Sequence, residues 1–449
     1  MVHKFKRNGV IMAVDVNSGA VHVIDELVYQ LLGSENVIDD KSHINHLNNI
    51  YGFDIVQEAI KEIKELRQEG LLYSEDYADT NAMKHQPSVI KAMCLHVAHD
   101  CNLSCEYCFA AEGTFHGNRE MMSFETGKKA LVFLAENSGN RKHLEVDFFG
   151  GEPLLNFSLI RELVDFGRGL EKKTGKIFRF TLTTNALALT EDKMDYINEH
   201  MDNIVLSIDG RKEVNDNLRK TLSGNGSYDL IQPNISKMVQ KRGDKAYFVR
   251  GTFTAKHLDF SSDVVHLADL GYDQISVEPV VGPAEMETTL KEAHLPIIEK
   301  EYEKLSEEYL KRKNTKNKFR FFHFMLDLQQ GPCMKKRSSG CGAGTEYVAV
   351  TPEGELYPCH QFVGQHEFSL GNLDTGITNK CQQHKFENAT VYDKTDCVQC
   401  WAKYYCSGGC HANAYFMNHD LNKPYQMGCQ MEKIRLETAL TIIARESGE

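Results

Sequence analysis

The sequence predicts an α/β protein. Its centre is a parallel sheet, open or partly closed into a partial (β/α)6 barrel, with a small module before it and a cysteine-rich region after it. Three observations predict this. Six apolar runs alternate with helical patterns over residues 88–315. The first 80 residues carry strands and helices of their own. Ten of the thirteen cysteines fall into one tight triplet and one C-terminal set of seven. At 449 residues, 41% hydrophobic and 25% charged, the chain has enough apolar surface for a buried core and room for about two to four domains.

Within residues 1–80, Val10–Val16 and Ala20–Ile24 read as strands joined by the turn Asn17-Ser18-Gly19. Asp25–Leu32 predicts a short helix. Asp54–Glu69 predicts a longer one, with Val56, Ala59, Ile60, Ile63 and Leu66 at helical spacing. Gly70 ends it, and Leu71–Tyr73 suits a return strand. This set of elements suggests a winged helix, whose usual ligand is DNA. The segment holds 7 basic and 14 acidic residues, so the basic face that DNA requires is missing. An exposed strand edge that captures an extended peptide suits it better. Residues 74–87 read as a linker.

The six strands of the sheet are expected at Val89–Ala98, Leu144–Phe149, Phe178–Thr183, Ile204–Ile208, Ala246–Phe253 and Gln274–Val281. Helices are expected between them at Phe124–Ala135, Leu159–Leu170, Glu191–Met201, Leu230–Lys241 and Ser262–Leu270. Strands joined by helical crossovers run parallel. A charged helix over 298–316 and a bridging segment over 316–332 lead to the region 333–449. That region has little periodicity before its last helix, Glu432–Arg445, so bound metal is expected to supply much of its packing. The net charge of −12 argues against nucleic acid and acidic membranes as partners. No run of eighteen apolar residues exists, and the apolar stretch around Asp15 lacks a cleavage pattern. No membrane span or secretory signal is therefore expected, and the location expected is the cytoplasm.

An odd number of cysteines with no export signal makes metal ligation a better default than disulfides. Cys101, Cys105 and Cys108 follow the first strand directly, where α/β sheets place their ligand sites. Three thiolates on one loop can hold three corners of a 4Fe-4S cube and leave one iron open. A zinc site completed by His99 is the alternative. Gly150-Gly151-Glu152-Pro153, Thr183-Thr184-Asn185 and Ser207-Ile208-Asp209-Gly210 end the next three strands. Cys94 lies in the first strand as a core residue, and Cys381 reads as a free loop thiol.

The stretch Cys101-Asn102-Leu103-Ser104-Cys105-Glu106-Tyr107-Cys108, with those three strand ends after it in order, resembles the radical S-adenosylmethionine (SAM) enzymes. The resemblance implies that SAM chelates the open iron and that its reductive cleavage yields a 5′-deoxyadenosyl radical. It also implies that Gly150 and Gly151 admit the methionyl amino group and that Glu152 helps hold it. Ser207 and Arg219 would hold the carboxylate, Asn185 and Asp209 would lie near the cofactor, and Tyr107 would flank the adenine. The C-terminal pattern Cys341-x12-Gly354-x4-Cys359, Cys397-x2-Cys400-x5-Cys406-x3-Cys410, Cys429 is similar to the SPASM domain with its two auxiliary 4Fe-4S clusters. That likeness assigns Cys341, Cys359 and Cys410 to auxiliary cluster I, and Cys397, Cys400, Cys406 and Cys429 to auxiliary cluster II. Three 4Fe-4S clusters and SAM are the implied cofactors.

The fourth corner of cluster I is left to Cys333 or to a substrate thiolate. His360 stands where sulfatase-type maturases place an acidic base; a base or a structural bond to a carbonyl are its two readings. The layout as a whole resembles peptide-modifying enzymes with a PqqD-like leader-recognition domain. The stretch Leu95-His96-Val97-Ala98-His99-Asp100 is most similar to maturases of the six-cysteine SCIFF peptides. The resemblance implies thioether formation in a cysteine-rich precursor peptide, with an external one-electron reductant such as flavodoxin or ferredoxin. Formylglycine formation, carbon–carbon crosslinking, an electron carrier without a substrate and a zinc-knuckle regulator are the competing readings.

Overall fold

The computed structural model describes residues 1–33, 40–76, 89–328 and 333–447. Three antiparallel strands come first, in the order β1 (Val2–Arg7), β2 (Val10–Asp15) and β3 (Val21–Val23). Gly19, at φ +76°, makes the expected turn between β2 and β3. Helices α1 (Glu26–Leu31), α2 (Lys41–Tyr51) and α3 (Phe53–Gln68) cover one face of this sheet through Leu27, Leu47, Val56 and Ile63, packed with Ala13. The opposite face sets Phe5, Met12 and Val14 against Leu440 and Ala444. Alternate residues of a strand face opposite ways, so burial of Met12, Ala13 and Val14 in succession requires cover on both faces.

β1 has no clear sequence signature, because its lysines and His3 break the apolar pattern. The strand is anchored by Arg7, buried and ion-paired with Glu299, Glu303 and Glu437. Leu71–Tyr73, expected as a strand, is a bend instead. Residues 77–87 of the expected linker and 329–332 of the bridging segment lie outside the described residues.

The central sheet begins with β4 (Ala92–His99) and the short strands β5 (Leu103–Cys105) and β6 (Glu120–Met121). After them come α4 (Phe124–Glu136), β7 (His143–Gly150), α5 (Phe157–Thr174), β8 (Ile177–Thr184), α6 (Glu191–His200) and β9 (Asn203–Ser207). Next are α7 (Lys212–Leu218), β10 (Arg219–Thr221), α8 (Tyr228–Arg242), β11 (Phe248–Phe253), α9 (Phe260–Asp269), β12 (Gln274–Pro279), α10 (Leu295–Arg312) and β13 (Arg320–Phe321). Strands β4, β7, β8, β9, β11, β12 and β13 lie side by side in that order, all parallel. The first six are the six expected strands, with ends shifted by a few residues. Leu144, Val146, Phe148, Phe178, Phe180 and Leu182 belong to the main core. The alternate positions Phe149, Thr183, Ser207, Arg250 and Glu278 face a cavity on the inner side.

The sheet stays open, since β13 is not joined to its far end. That far end comes from the cysteine-rich region. Strand β14 (Tyr347–Val350) pairs parallel with β4 and continues into antiparallel β15 (Glu355–Tyr357), β16 (Gly371–Asn372) and β17 (Gly376–Ile377). Helices α11 (Met334–Ser339), α12 (Lys380–Glu387), α13 (Thr395–Val398), α14 (Lys403–Cys406), α15 (His411–Asn418) and α16 (Gln426–Ser447) complete the chain. This region holds more apolar packing than its sequence rhythm suggests. Phe362, Phe368 and Phe386 form a buried cluster with Tyr415 against it. No described helix is long and apolar enough to cross a membrane.

Candidate active site and cluster-binding groups

The triplet leaves the carboxyl end of β4 and is shaped by a two-stranded ribbon. β5 pairs antiparallel with β10, which sets Arg219 opposite Cys105. The Cys108 amide then donates to the Cys105 carbonyl at 3.1 Å. All three cysteines line a cavity of about 620 Å³ together with Gly150, Gly151, Glu152, Asn185, Ser207, Arg219 and Tyr107. Burial pushes the Cys101 thiol up to about 12 and Cys105 up to about 11, so a cation or metal is needed to hold them as thiolates. His99 points elsewhere: its Nε2 lies 3.1 Å from Nδ1 of buried His96, and both rings pack on Phe115. Among the described residues no three His, Cys, Asp or Glu side chains converge as a single metal ion would require. A cube, being larger than an ion, holds its thiolates farther apart.

Gly150 and Gly151 are required by the chain's own backbone. A Cβ on Gly150, which has φ +136°, would stand 2.1 Å from the Ala98 carbonyl oxygen. One on Gly151 would stand 2.2 Å from that of Asp100. The end of β7 folds over the end of β4 at this point, and the Gly151 and Glu152 amides donate to Ala98 and Asp100, both at 2.8 Å. The buried Glu152 carboxylate ties two strand ends together. It accepts from the Leu154 amide at 3.0 Å, the Thr184 hydroxyl at 2.7 Å and the Asn185 amide at 2.8 Å. Asn185 Nδ2 in turn donates to Asn102 Oδ1 at 2.8 Å.

Tyr107, Asp209 and Arg219 form one buried chain. The Tyr107 hydroxyl lies 2.8 Å from both Asp209 oxygens, and Arg219 Nη1 donates to it at 2.9 Å. The Thr252 amide holds Asp209 at 3.0 Å. Tyr107 is thus committed through its hydroxyl to fixing Asp209 and Arg219. Among the described residues Arg219 Nε is buried with no partner. An orphan N–H beside a cavity is what a ligand carboxylate would satisfy, so these residues fit the methionyl end of SAM.

The seven C-terminal cysteines separate into two groups. Cys359 is raised by burial and then by Cys410 and Cys341. Cys397 is pushed up to about 11 by burial, with Cys429 and Cys400 adding to it, and Cys406 to about 12 by burial, with Glu432, Cys429 and Cys397 adding. Cys397, Cys400, Cys406 and Cys429 line one small cavity of about 50 Å³. Cys341, Cys359 and Cys410 thus lie near one another, and Cys397, Cys400, Cys406 and Cys429 share a second cavity. Cys406, Cys410 and Cys429 also line the large cavity that holds the first triplet. Cys333 is exposed at the start of α11, Cys94 is buried in β4, and Cys381 lies exposed on α12 rather than in a loop.

The far wall of the large cavity has no counterpart among the sequence expectations. It carries Arg250, Glu278, Glu432 and Arg435. Glu278 accepts from the Ser276 hydroxyl at 2.6 Å and lies 3.0 Å from His323 Nε2, whose other ring nitrogen meets Tyr302 at 2.8 Å. A charged residue ending the sixth strand, at Val277-Glu278-Pro279, was the signal available, since ligand sites sit at strand ends. His360 also lines this cavity. Its Nδ1 is 3.4 Å from the Tyr347 hydroxyl, with no carbonyl partner among the described residues, and burial lowers its pKa to about 4.

Residues 91–231 match the family described as a 4Fe-4S single cluster domain, and residues 341–401 match SPASM, an iron–sulfur cluster-binding domain. With the relatives below, these two matches support the radical SAM/SPASM family for this chain. Among its relatives, a cysteine-type anaerobic sulfatase-maturating enzyme of Clostridium novyi is 23% identical over 70% of this chain and 86% of its own length. The subtilosin biosynthesis protein AlbA of Bacillus subtilis is 24% identical over 85% of the chain and 80% of its own. The crystal structure of Streptococcus suis SuiB bound to S-adenosylmethionine shares the fold. Its TM-score is 0.57 at 16% identity, covering 96% of this chain and 98% of that one. SuiB is also known bound to its precursor peptide SuiA, with a TM-score of 0.52 at 14% identity over 94% and 97%.

Proposed function

We propose that this chain is a radical SAM enzyme that installs thioether crosslinks in a ribosomally made, cysteine-rich peptide. One observation carries the reading. A single cavity has the Cys101–Cys105–Cys108 loop and Arg219 on one wall and Cys410 of the auxiliary group on another. A peptide threaded there lies between a site for making a radical and a site able to hold a thiolate. The relatives that act on sulfatases and on a bacteriocin, and the peptide-bound SuiB, support a peptide as substrate.

The triplet would hold three irons of the first cluster. Arg219 and Ser207 would orient the SAM carboxylate, and Glu152 would take the amino group with the one lone-pair position its protein partners leave. When bound, SAM and this cluster supply one-electron cleavage of the sulfonium and a radical able to remove hydrogen from carbon. Cys341, Cys359 and Cys410 would hold three corners of auxiliary cluster I, with Cys333 or a substrate thiolate as the fourth ligand. Cys397, Cys400, Cys406 and Cys429 would complete auxiliary cluster II. Soft iron binds and deprotonates a thiol, which prepares the sulfur for bonding to carbon.

The N-terminal sheet would hold the leader as an added strand. β3 is one of its two edges, and Val23 on it is exposed.

The test is to incubate anaerobically reduced holoenzyme with SAM, a flavodoxin or ferredoxin reductant and a short cysteine-rich peptide encoded beside it. Each crosslink should remove two hydrogens from the mass and block one thiol. A peptide that loses mass with all its thiols intact points to carbon–carbon coupling; an unchanged peptide removes the peptide reading.

A further inference from the structure

Lys394 is 0% exposed, in the region that carries both auxiliary cysteine groups. It precedes Cys397 by one turn, and the Cys397 amide donates to its carbonyl at 2.9 Å. Its Nζ donates to the Gly408 carbonyl at 2.7 Å. Gly408 stands between Cys406 of one group and Cys410 of the other, and it lines both the small cysteine cavity and the large one. Even a Cβ added to Gly408 would be 3.4 Å from the ammonium, so the Lys394 charge sits against the seam between the groups.

Four cysteines act on that charge, two from each group. Burial lowers the Lys394 pKa, while Cys397, Cys406, Cys410 and Cys341 oppose the fall. Among the described residues its one hydrogen-bond partner is the Gly408 carbonyl, and no carboxylate pairs with it. Arg7 and Lys403, comparably buried, both have carboxylates: Glu437, Glu299 and Glu303 for the first, Asp76 for the second. A buried ammonium without an anion bears its desolvation cost uncompensated, and such a group persists where a ligand brings the negative charge. Cysteine-bound iron–sulfur clusters are anionic, and nearby charge and hydrogen bonds set their potentials.

We propose that Lys394 is the shared counter-ion of the two auxiliary clusters, one ammonium placed between both so that each is easier to reduce. The proposal rests on the ligand assignment given above for those clusters. Reduction adds one electron from the external reductant and one negative charge beside Nζ. Removing the ammonium therefore disfavours the reduced state of both clusters.

The test uses the full chain with Cys101, Cys105 and Cys108 replaced by Ala, so that only auxiliary clusters contribute to the spectra. Iron and sulfide are counted first. A count below two clusters overturns the ligand assignment, and Lys394's role with it. With both clusters present, Lys394→Met is titrated by EPR. Both reductions are expected to become at least tenfold less favourable, which is a midpoint more negative by about 59 mV. Two unchanged midpoints, or a shift at one cluster alone, overturn the shared role. A second measurement reads the ammonium directly. In the same triplet-substituted chain labelled with 15Nζ-lysine, pulsed EPR of the reduced auxiliary clusters should show nitrogen coupling at both that Lys394→Met removes; since Lys336 lies near Cys341 and Lys433 near Cys429, coupling that survives the substitution, or is absent at either cluster, overturns the proposal.

Discussion

Arg219 has two tasks that a sequence cannot separate. Its Nη1 fixes Tyr107, and its Nε is left over. Arg219→Lys keeps the charge and loses the planar fork, so it should weaken SAM binding about tenfold or more, the worth of one charge-assisted hydrogen bond. Equilibrium binding to the holoenzyme checks this, and unchanged affinity removes Arg219 from the site. Asp147, facing inward beside Thr183, is pushed up to about 7 by burial against the pull of Thr183 and Arg250. A carboxyl raised in the folded state binds its proton more tightly there than in the unfolded chain. It therefore costs nothing below about pH 4, and its cost grows until about pH 7. Asp147→Asn should stabilise the protein more at pH 8 than at pH 5, by up to about 2.7 kcal/mol for a difference of about two pH units. Melting temperatures at the two pH values decide it; an equal gain at both shows that Asp147 is not the titrating group.

At the scale of elements, β3 offers a specific test of peptide capture. The pairing of Ile24 with Ile11 and of Asp15 with Ala20 turns residues 20, 22 and 24 toward β2. Val21 and Val23 then present their N–H and C=O groups to the open side. Val23→Pro removes one outward donor and spares the β2 ladder. Leader affinity should fall at least tenfold while SAM cleavage without peptide is unchanged; undiminished affinity places the leader elsewhere. Elements with strong periodicity were legible in the sequence: the six parallel strands, the helices between them and α3. β1 was not, because it hides its apolar pattern among paired charges. Leu71–Tyr73 has the composition of a strand but finds no ladder to join. The cysteine spacing alone pointed to Cys397, Cys400, Cys406 and Cys410 as one set; the interleaved three and four came only from the likeness to the SPASM domain. Glu278 and Arg435 stayed hidden, since they meet across the cavity only when α16 folds back over the strand ends.

In the whole molecule, the three parts are joined more closely than a chain of domains would be. The N-terminal sheet packs on α16, and His3 stacks on Trp401 at 4.0 Å, next to Cys400. β14 supplies the neighbour of β4, so the central sheet is incomplete without it. A chain ending at residue 340 would leave that edge of β4 bare, and it should aggregate, because unpaired flat edges recruit other chains. Size-exclusion chromatography of the truncated protein checks this; a monodisperse, folded product would show that β14 is dispensable. The same pairing joins positions 92 and 347. During synthesis at about 5–20 residues per second, the first strand waits roughly 13–50 s for its partner to leave the ribosome. Through that interval Cys101, Cys105 and Cys108 are already made but stand beside an unfinished sheet. A triplet left in that state lacks the wall to which Cys410 and Arg435 later contribute.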